Sequence, residues 1–206
     1  MADPAFTSFV LGYHGCDVAV SERVLAGKAS LKPSSNDYDW LGDGIYFWEH
    51  NATRAFDFAQ ERSKKPDPSG QTIGEPAVIG AVIDLRLCLN LLDSGYIEMV
   101  KDAHRVLMKR AAEAGIEPPA NSVGPDLLNR KLDCAVLKTL HTLRADDGQL
   151  PFDTVRGVFT EGDRLYDNAG FAAKTHIQLC VRDVSCIKGY FRPLLPNGKV
   201  MTFKGR

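Results

Sequence analysis

The stretch Gly42-Asp43-Gly44-Ile45-Tyr46-Phe47-Trp48-Glu49-His50-Asn51-Ala52 decides how the rest of the chain is read. Two glycines bracket an aspartate, which is turn chemistry. One β-branched and three aromatic residues follow, a composition that favours a strand. Asn51 then stands where a helix N-cap would stand, ahead of a helix from residue 52 to about 63 with Ala55, Phe56 and Ala59 on one face. Turn, strand, cap and helix are thus predicted in succession. Within the strand, alternation predicts a buried Phe47, with Tyr46 and Trp48 exposed on the opposite face.

Toward the N-terminus, residues 9–13 read as a short strand leading into His14, Gly15 and Cys16. Residues 17–27 have helical spacing through Val20, Val24 and Leu25 and stop at Gly27, a common C-terminal signal. Residues 32–39 are a polar loop. Toward the C-terminus, residues 64–76 are rich in Pro, Gly and Lys and read as an exposed loop, and residues 77–84 as a strand. Residues 96–115 form an amphipathic helix with Ile97, Val100, His104, Leu107, Met108 and Ala111 on its apolar stripe. Met99 and Met108 are expected in the core. A second helix is expected over 126–143 and strands over 154–160, 175–182 and 186–192, with a glycine-containing loop at 161–174. Strands at both ends and helices gathered in the middle predict an α+β fold. No repeat or linker splits the chain, so a single domain over 1–206 is expected.

Composition narrows the function classes. With 44% hydrophobic and 25% charged residues among 206, the chain is long enough to bury a core and too apolar to be disordered. A formal net charge of -1 gives no general attraction to nucleic acid or to an anionic membrane. Asp3 stands where a secretory signal would carry a basic residue, and no stretch approaches the roughly 20 apolar residues of a membrane span. A soluble, cytoplasmic protein without a membrane partner is therefore expected. The five cysteines (Cys16, Cys88, Cys134, Cys180 and Cys186) are odd in number, scattered, and contain no C-x-x-C pair. That fits neither a disulfide framework nor a zinc site, so reduced thiols and no metal are expected. Neither G-x-G-x-x-G nor G-x-x-x-x-G-K occurs, so a bound nucleotide would not use a Rossmann or P-loop site.

Three segments place polar residues on or beside expected strands: Tyr13-His14-Gly15-Cys16, Gly42-Asp43-Gly44-Ile45-Tyr46-Phe47, and Thr175-His176-Ile177-Gln178-Leu179-Cys180-Val181. Singly, each has an ordinary reading as a strand-end turn, a tight turn, or a strand carrying a structural histidine, His176. His50, His104 and His141 have no partner pattern and read as surface or core residues.

Taken in order, the three segments resemble the ADP-ribosyltransferase superfamily, in its diphtheria-toxin and poly(ADP-ribose) polymerase branch. That branch places a histidine in a Tyr-His-Gly context, matched by Tyr13, His14 and Gly15. It places a tyrosine in a Gly-x-Gly-Ile-Tyr-Phe context, matched by Gly42, Gly44, Ile45, Tyr46 and Phe47. Its third strand usually carries a glutamate, and Gln178 stands at that position. The resemblance implies an ADP-ribosyltransferase-like split β-sandwich of two mostly antiparallel sheets with flanking helices, and NAD as substrate. It implies catalytic roles for His14, Tyr46 and Gln178, with Glu161 the nearest carboxylate able to stand in for the missing one. It implies NAD contacts from His14, Gly15, Tyr46, Phe56 and Gln178.

Cleavage of the nicotinamide–ribose bond passes through an oxocarbenium-like state, and nicotinamide leaves readily. The protein has then mainly to hold the substrate extended and exclude water. By resemblance, His14 would bind the adenosine-side ribose and the Gly15 backbone the carboxamide. Tyr46 and Phe56 would sandwich the nicotinamide, each stack adding about 1 kcal/mol. Gln178 would orient the other ribose through its 2′-hydroxyl, but an amide cannot act as a base. Single transfer to a macromolecular acceptor, protein or nucleic acid, is thus expected over chain building, as in a toxin or defence effector whose further partner would be an antitoxin protein. The alternatives are NAD glycohydrolase, a non-catalytic NAD- or ADP-ribose-binding pseudoenzyme, and an RNA 2′-phosphotransferase for which Arg54 and Arg156 are the eligible arginines.

Overall fold

The computed structural model describes residues 8–66, 70–194, 197 and 199–201; Asp3 and residues 67–69 of the expected 64–76 loop lie outside them. The described residues form seven strands and four α-helices in the order β1 (Phe9–Asp17), α1 (Val18–Leu25), β2 (Ile45–Glu49), α2 (Ala52–Lys64), β3 (Pro76–Asp84), β4 (Cys88–Asn90), α3 (Ser94–Ala114), α4 (Lys131–Asp146), β5 (Thr154–Phe159), β6 (His176–Val181) and β7 (Ile187–Phe191). The class is α+β. The chain divides into two compact units, one of residues 1–32, 46–86 and 184–206, the other of residues 33–45 and 87–183.

In the first unit β1 pairs antiparallel with β2 on one side and β3 on the other, and β3 pairs antiparallel with β7. β1 runs past the expected strand and takes in His14, Gly15 and Cys16, because its register with β3 is unbroken from Phe9↔Asp84 to Asp17↔Pro76. Helix α1 follows without a loop: the Asp17 carboxylate caps it by accepting from the Ala19 N–H at 2.8 Å, and also accepts from the Gly74 and Glu75 N–H groups. Asn51 caps α2 as the sequence predicts, its Oδ1 accepting from the Arg54 N–H at 2.9 Å. Trp48 differs from expectation. It is 3% exposed and belongs to a core cluster with Ala55, Phe56 and Val78, while Phe47 is 0% exposed. Both faces of β2 are covered, so alternation does not separate a wet side from a dry one.

In the second unit β4 pairs parallel with β5, and β5 pairs antiparallel with β6. Helix α3 ends at Gly115, whose φ of 65° is the left-handed conformation glycine adopts freely. No residue of its expected apolar stripe is fully buried: Ile97 and Met108 are exposed and the rest half-buried, as is Met99, so neither methionine is a core residue, and the helix buries Ala103 instead. Helix α4 begins at Lys131 and not near 126, because Asn121 lies outside the helix and supplies its cap, Oδ1 accepting from the Leu132 and Asp133 N–H groups at 2.9 and 3.2 Å. All five cysteines are free thiols, four buried and Cys88 half-buried. Among the described residues no helix is long and apolar enough to cross a membrane.

Candidate functional site

In the first unit, the pairing of β1 with β2 (Gly12↔Glu49, Tyr13↔Trp48) sets the Tyr-His-Gly segment beside the strand that carries Tyr46 and Phe47. His14 Nδ1 lies 2.8 Å from the Tyr46 carbonyl oxygen. A carbonyl only accepts, so Nδ1 carries the proton and, in the neutral ring, Nε2 carries the lone pair. The β2 backbone thereby fixes the tautomer. Burial pushes the His14 pKa below the ordinary value of 6.5, and the carbonyl bond opposes this more weakly. The imidazole is therefore neutral at physiological pH, with Nε2 equipped to accept a hydrogen bond from a hydroxyl. The ring also packs against Phe47, centroids 5.7 Å apart.

The other expected contacts of this unit divide. Tyr46 is half-buried, on the strand face it shares with Trp48. Phe56 is a core residue, 7% exposed between Trp48, Ala55 and Val78, and stacking on a ligand needs an open ring face that this position lacks. Gly15 is glycine for a packing reason: an added Cβ would lie 2.1 Å from the Ala55 carbonyl oxygen and 3.3 Å from the Ala59 Cβ. Helix α2 sits against the bare backbone of β1 there. Arg54, one of the two arginines eligible for phosphate, is buried on α2, with its guanidinium 5.9 Å from the Trp48 ring centroid and 3.9 Å from the Glu61 carboxylate.

In the second unit, Gln178 sits on β6 opposite Gly157 of β5. Its Oε1 accepts from the Trp40 indole N–H at 2.6 Å. Glu161 lies two residues beyond the end of β5, its backbone carbonyl accepting from the Lys174 N–H at 2.9 Å and its carboxylate 3.7 Å from Lys174 Nζ. It lies past the last pair of the β5–β6 ladder, Phe159↔His176. His176 is buried as a structural residue, Nδ1 2.6 Å from the Lys174 carbonyl and the ring stacked on Phe159 at 5.7 Å.

Sequence reading missed Trp40. Its indole fits over Gly157, where a Cβ would lie 2.7 Å from the ring, and meets Phe159 edge-on at 5.2 Å, with the Arg130 guanidinium 4.5 Å from the Phe159 centroid. A glycine inside the 154–160 strand was the available signal, since such a glycine marks a close approach. A cavity of about 440 Å³ lies elsewhere in this unit, lined by Trp40 and by α3 and α4 residues such as Val100, His104, Leu132 and Val136. Neither Gln178 nor Glu161 borders it. Among the described residues no group of three or more His, Cys, Asp or Glu is placed to hold a metal ion.

No family model matches the chain, and no solved structure matches it. A segment of 37 residues is 51% identical to the uncharacterized protein MJ0359 of Methanocaldococcus jannaschii. That segment is 18% of this chain and spans 17% of the archaeal protein, whose name carries no activity.

Proposed function

We propose that this protein is a mono-ADP-ribosyltransferase of split-sandwich fold that takes NAD as substrate, releases nicotinamide and passes ADP-ribose to a macromolecular acceptor. One observation carries most of the weight. Two of the three family-like segments meet in adjacent strands, where the Tyr46 carbonyl fixes the proton on His14 Nδ1 and burial keeps the ring neutral with Nε2 free to accept. A ribose hydroxyl is the natural donor to such an atom, and a lowered pKa keeps the acceptor available across the physiological range. The Gln178 amide supports a single transfer, since it carries no charge and cannot serve as a base. The same amide favours a second reading, an NAD-binding protein without turnover.

The test incubates the purified protein with NAD and cell extract, and follows released nicotinamide together with ADP-ribose label on protein and nucleic acid. His14→Ala and Tyr46→Ala serve as controls. Release with label, lost in both variants, is the expected result, and the labelled fraction names the acceptor class. Release without label would make the protein a glycohydrolase. NAD binding without release would select the second reading, and the absence of binding would refute both.

A further inference from the structure

Gln178 has two ends of opposite hydrogen-bonding character: Oε1 accepts and Nε2 donates. The Trp40 indole N–H can only donate, so the atom 2.6 Å from it is necessarily the amide oxygen. Among the described residues no hydrogen bond engages Nε2. The orientation of this amide is thus set by one residue, 138 positions away in the chain.

Trp40 is itself held firmly. Gly157, directly across the ladder from Gln178, leaves the space its ring occupies, Leu41 is 0% exposed beside it, and Phe159 and Arg130 close two further sides. A phenylalanine in this place would be smaller and would offer no donor. We propose that Trp40 is the positioning residue for Gln178, holding the amide oxygen so that its –NH2 is presented as a hydrogen-bond donor to a hydroxyl of the bound substrate. The substrate half of this inference rests on the ADP-ribosyltransferase reading; the orientation of the amide does not.

The experiment has two arms on the full chain. In the first, tryptophan is labelled with ¹⁵N; the sequence has two tryptophans, Trp40 and Trp48, and Trp40→Phe assigns the indole signals. In Gln178→Leu the Trp40 indole N–H should move and exchange with solvent roughly fivefold faster, as for loss of one net hydrogen bond, while Trp48 stays in place. An unmoved Trp40 signal in a folded Gln178→Leu protein overturns the proposal whatever the enzyme does. In the second arm, NAD affinity and nicotinamide release are measured for Trp40→Phe, Gln178→Leu and the double variant, with thermal melts to confirm folding. Trp40→Phe deletes the donor together with the outer ring edge that lies over Gly157, two effects that the double variant separates. It should raise KM for NAD roughly fivefold with little change in kcat, because an orienting bond acts on ground and transition states alike. In the Gln178→Leu background the same change should have no further effect. Additive effects would show that Trp40 acts only through packing. A wild-type protein that binds no NAD would refute the functional reading and the substrate half with it, and the indole arm would still decide the orientation.

Discussion

Gly15→Ala separates two explanations of the glycine in the Tyr-His-Gly segment. If glycine is needed only so that a ligand can approach, alanine should fold as well as glycine does. The structure says otherwise. An added Cβ would stand 2.1 Å from the Ala55 carbonyl oxygen, and that oxygen is backbone of α2, which cannot rotate aside as a side chain can. Relief requires β1 and α2 to separate by about 1 Å over a core cluster that includes Ala55 itself. Overpacking of this kind costs about 1–3 kcal/mol, and a backbone obstacle puts it near the upper end. At about 2–4 °C per kcal/mol for a chain of this size, the melting temperature should fall by about 6–12 °C. Two companion variants calibrate the result. Gly12→Ala would meet the Ile83 Cδ1 at 2.6 Å and the Phe47 Cβ at 2.8 Å, and the second is fixed to the β2 backbone, so it too should be destabilised, with a milder overlap than the 2.1 Å at Gly15. Gly189→Ala meets nothing within 4 Å and should melt no lower than wild type. Melts by circular dichroism rank the three. A Gly15→Ala protein within about 2 °C of wild type would refute the packing explanation.

Acid should act through two histidines. Burial lowers the His141 pKa from 6.5 to about 3, with Arg182 and Arg144 adding to the effect and Asp43 opposing it. A depressed pKa means the unfolded chain binds the extra proton first, so the stability this ring contributes is complete above 6.5 and is lost as pH falls toward 3. Between about pH 7.5 and about pH 4.5 the loss is about 2.5 kcal/mol, and His141→Leu should abolish that share of the acid sensitivity in urea titrations at the two pH values; an unchanged pH dependence would contradict it. His14 is lowered too, so NAD affinity should be flat above pH 6.5 and weaken only as pH falls through a lower value. Calorimetric titration that already shows weakening on descent to pH 6.5 would count against a neutral His14.

The turn–strand–cap–helix series of residues 42–64 was legible because each signal acts within a few residues: Asn51 caps the very helix it precedes. Three-residue β4 was not, being too short to show alternation and held by parallel pairing with β5 more than 60 residues on. The start of α4 was misplaced because its cap comes from Asn121, ten residues before Lys131, with the bridge Ser122↔Asn129 closing the loop between them. Trp48 was misjudged because alternation assumes one wet face, and β2 has none. In the candidate site, the sequence put His14 and Tyr46 in motifs on two strands, but the pairing of those strands, and so the contact, is a long-range feature. The partner of Gln178 did not follow from anything local, since Trp40 stands just past the polar loop of residues 32–39, in no segment with a pattern of its own.

The polarity of the two fixed side chains bears on how fast the proposed reaction would run. His14 offers an acceptor and Gln178 a donor, and neither carries charge. A ribose hydroxyl satisfies either one, so each side chain by itself can orient a hydroxyl. Orientation is not charge stabilisation, though, and positive charge on the ribose develops only as nicotinamide departs. An amide –NH2 turned toward that ribose brings the wrong end of its dipole. Gln178→Glu would keep the Trp40 bond through one carboxylate oxygen and present the other as a negatively charged acceptor. A ribose hydroxyl can donate as readily as it accepts, so KM should change little. The gain should fall on kcat for nicotinamide release, on the order of tenfold, because a fixed charge counts where opposite charge develops. If the carboxylate variant instead releases nicotinamide more slowly while binding NAD as tightly, the donor itself is required in the transition state, and the family-like placing of Gln178 as a substitute for a glutamate fails.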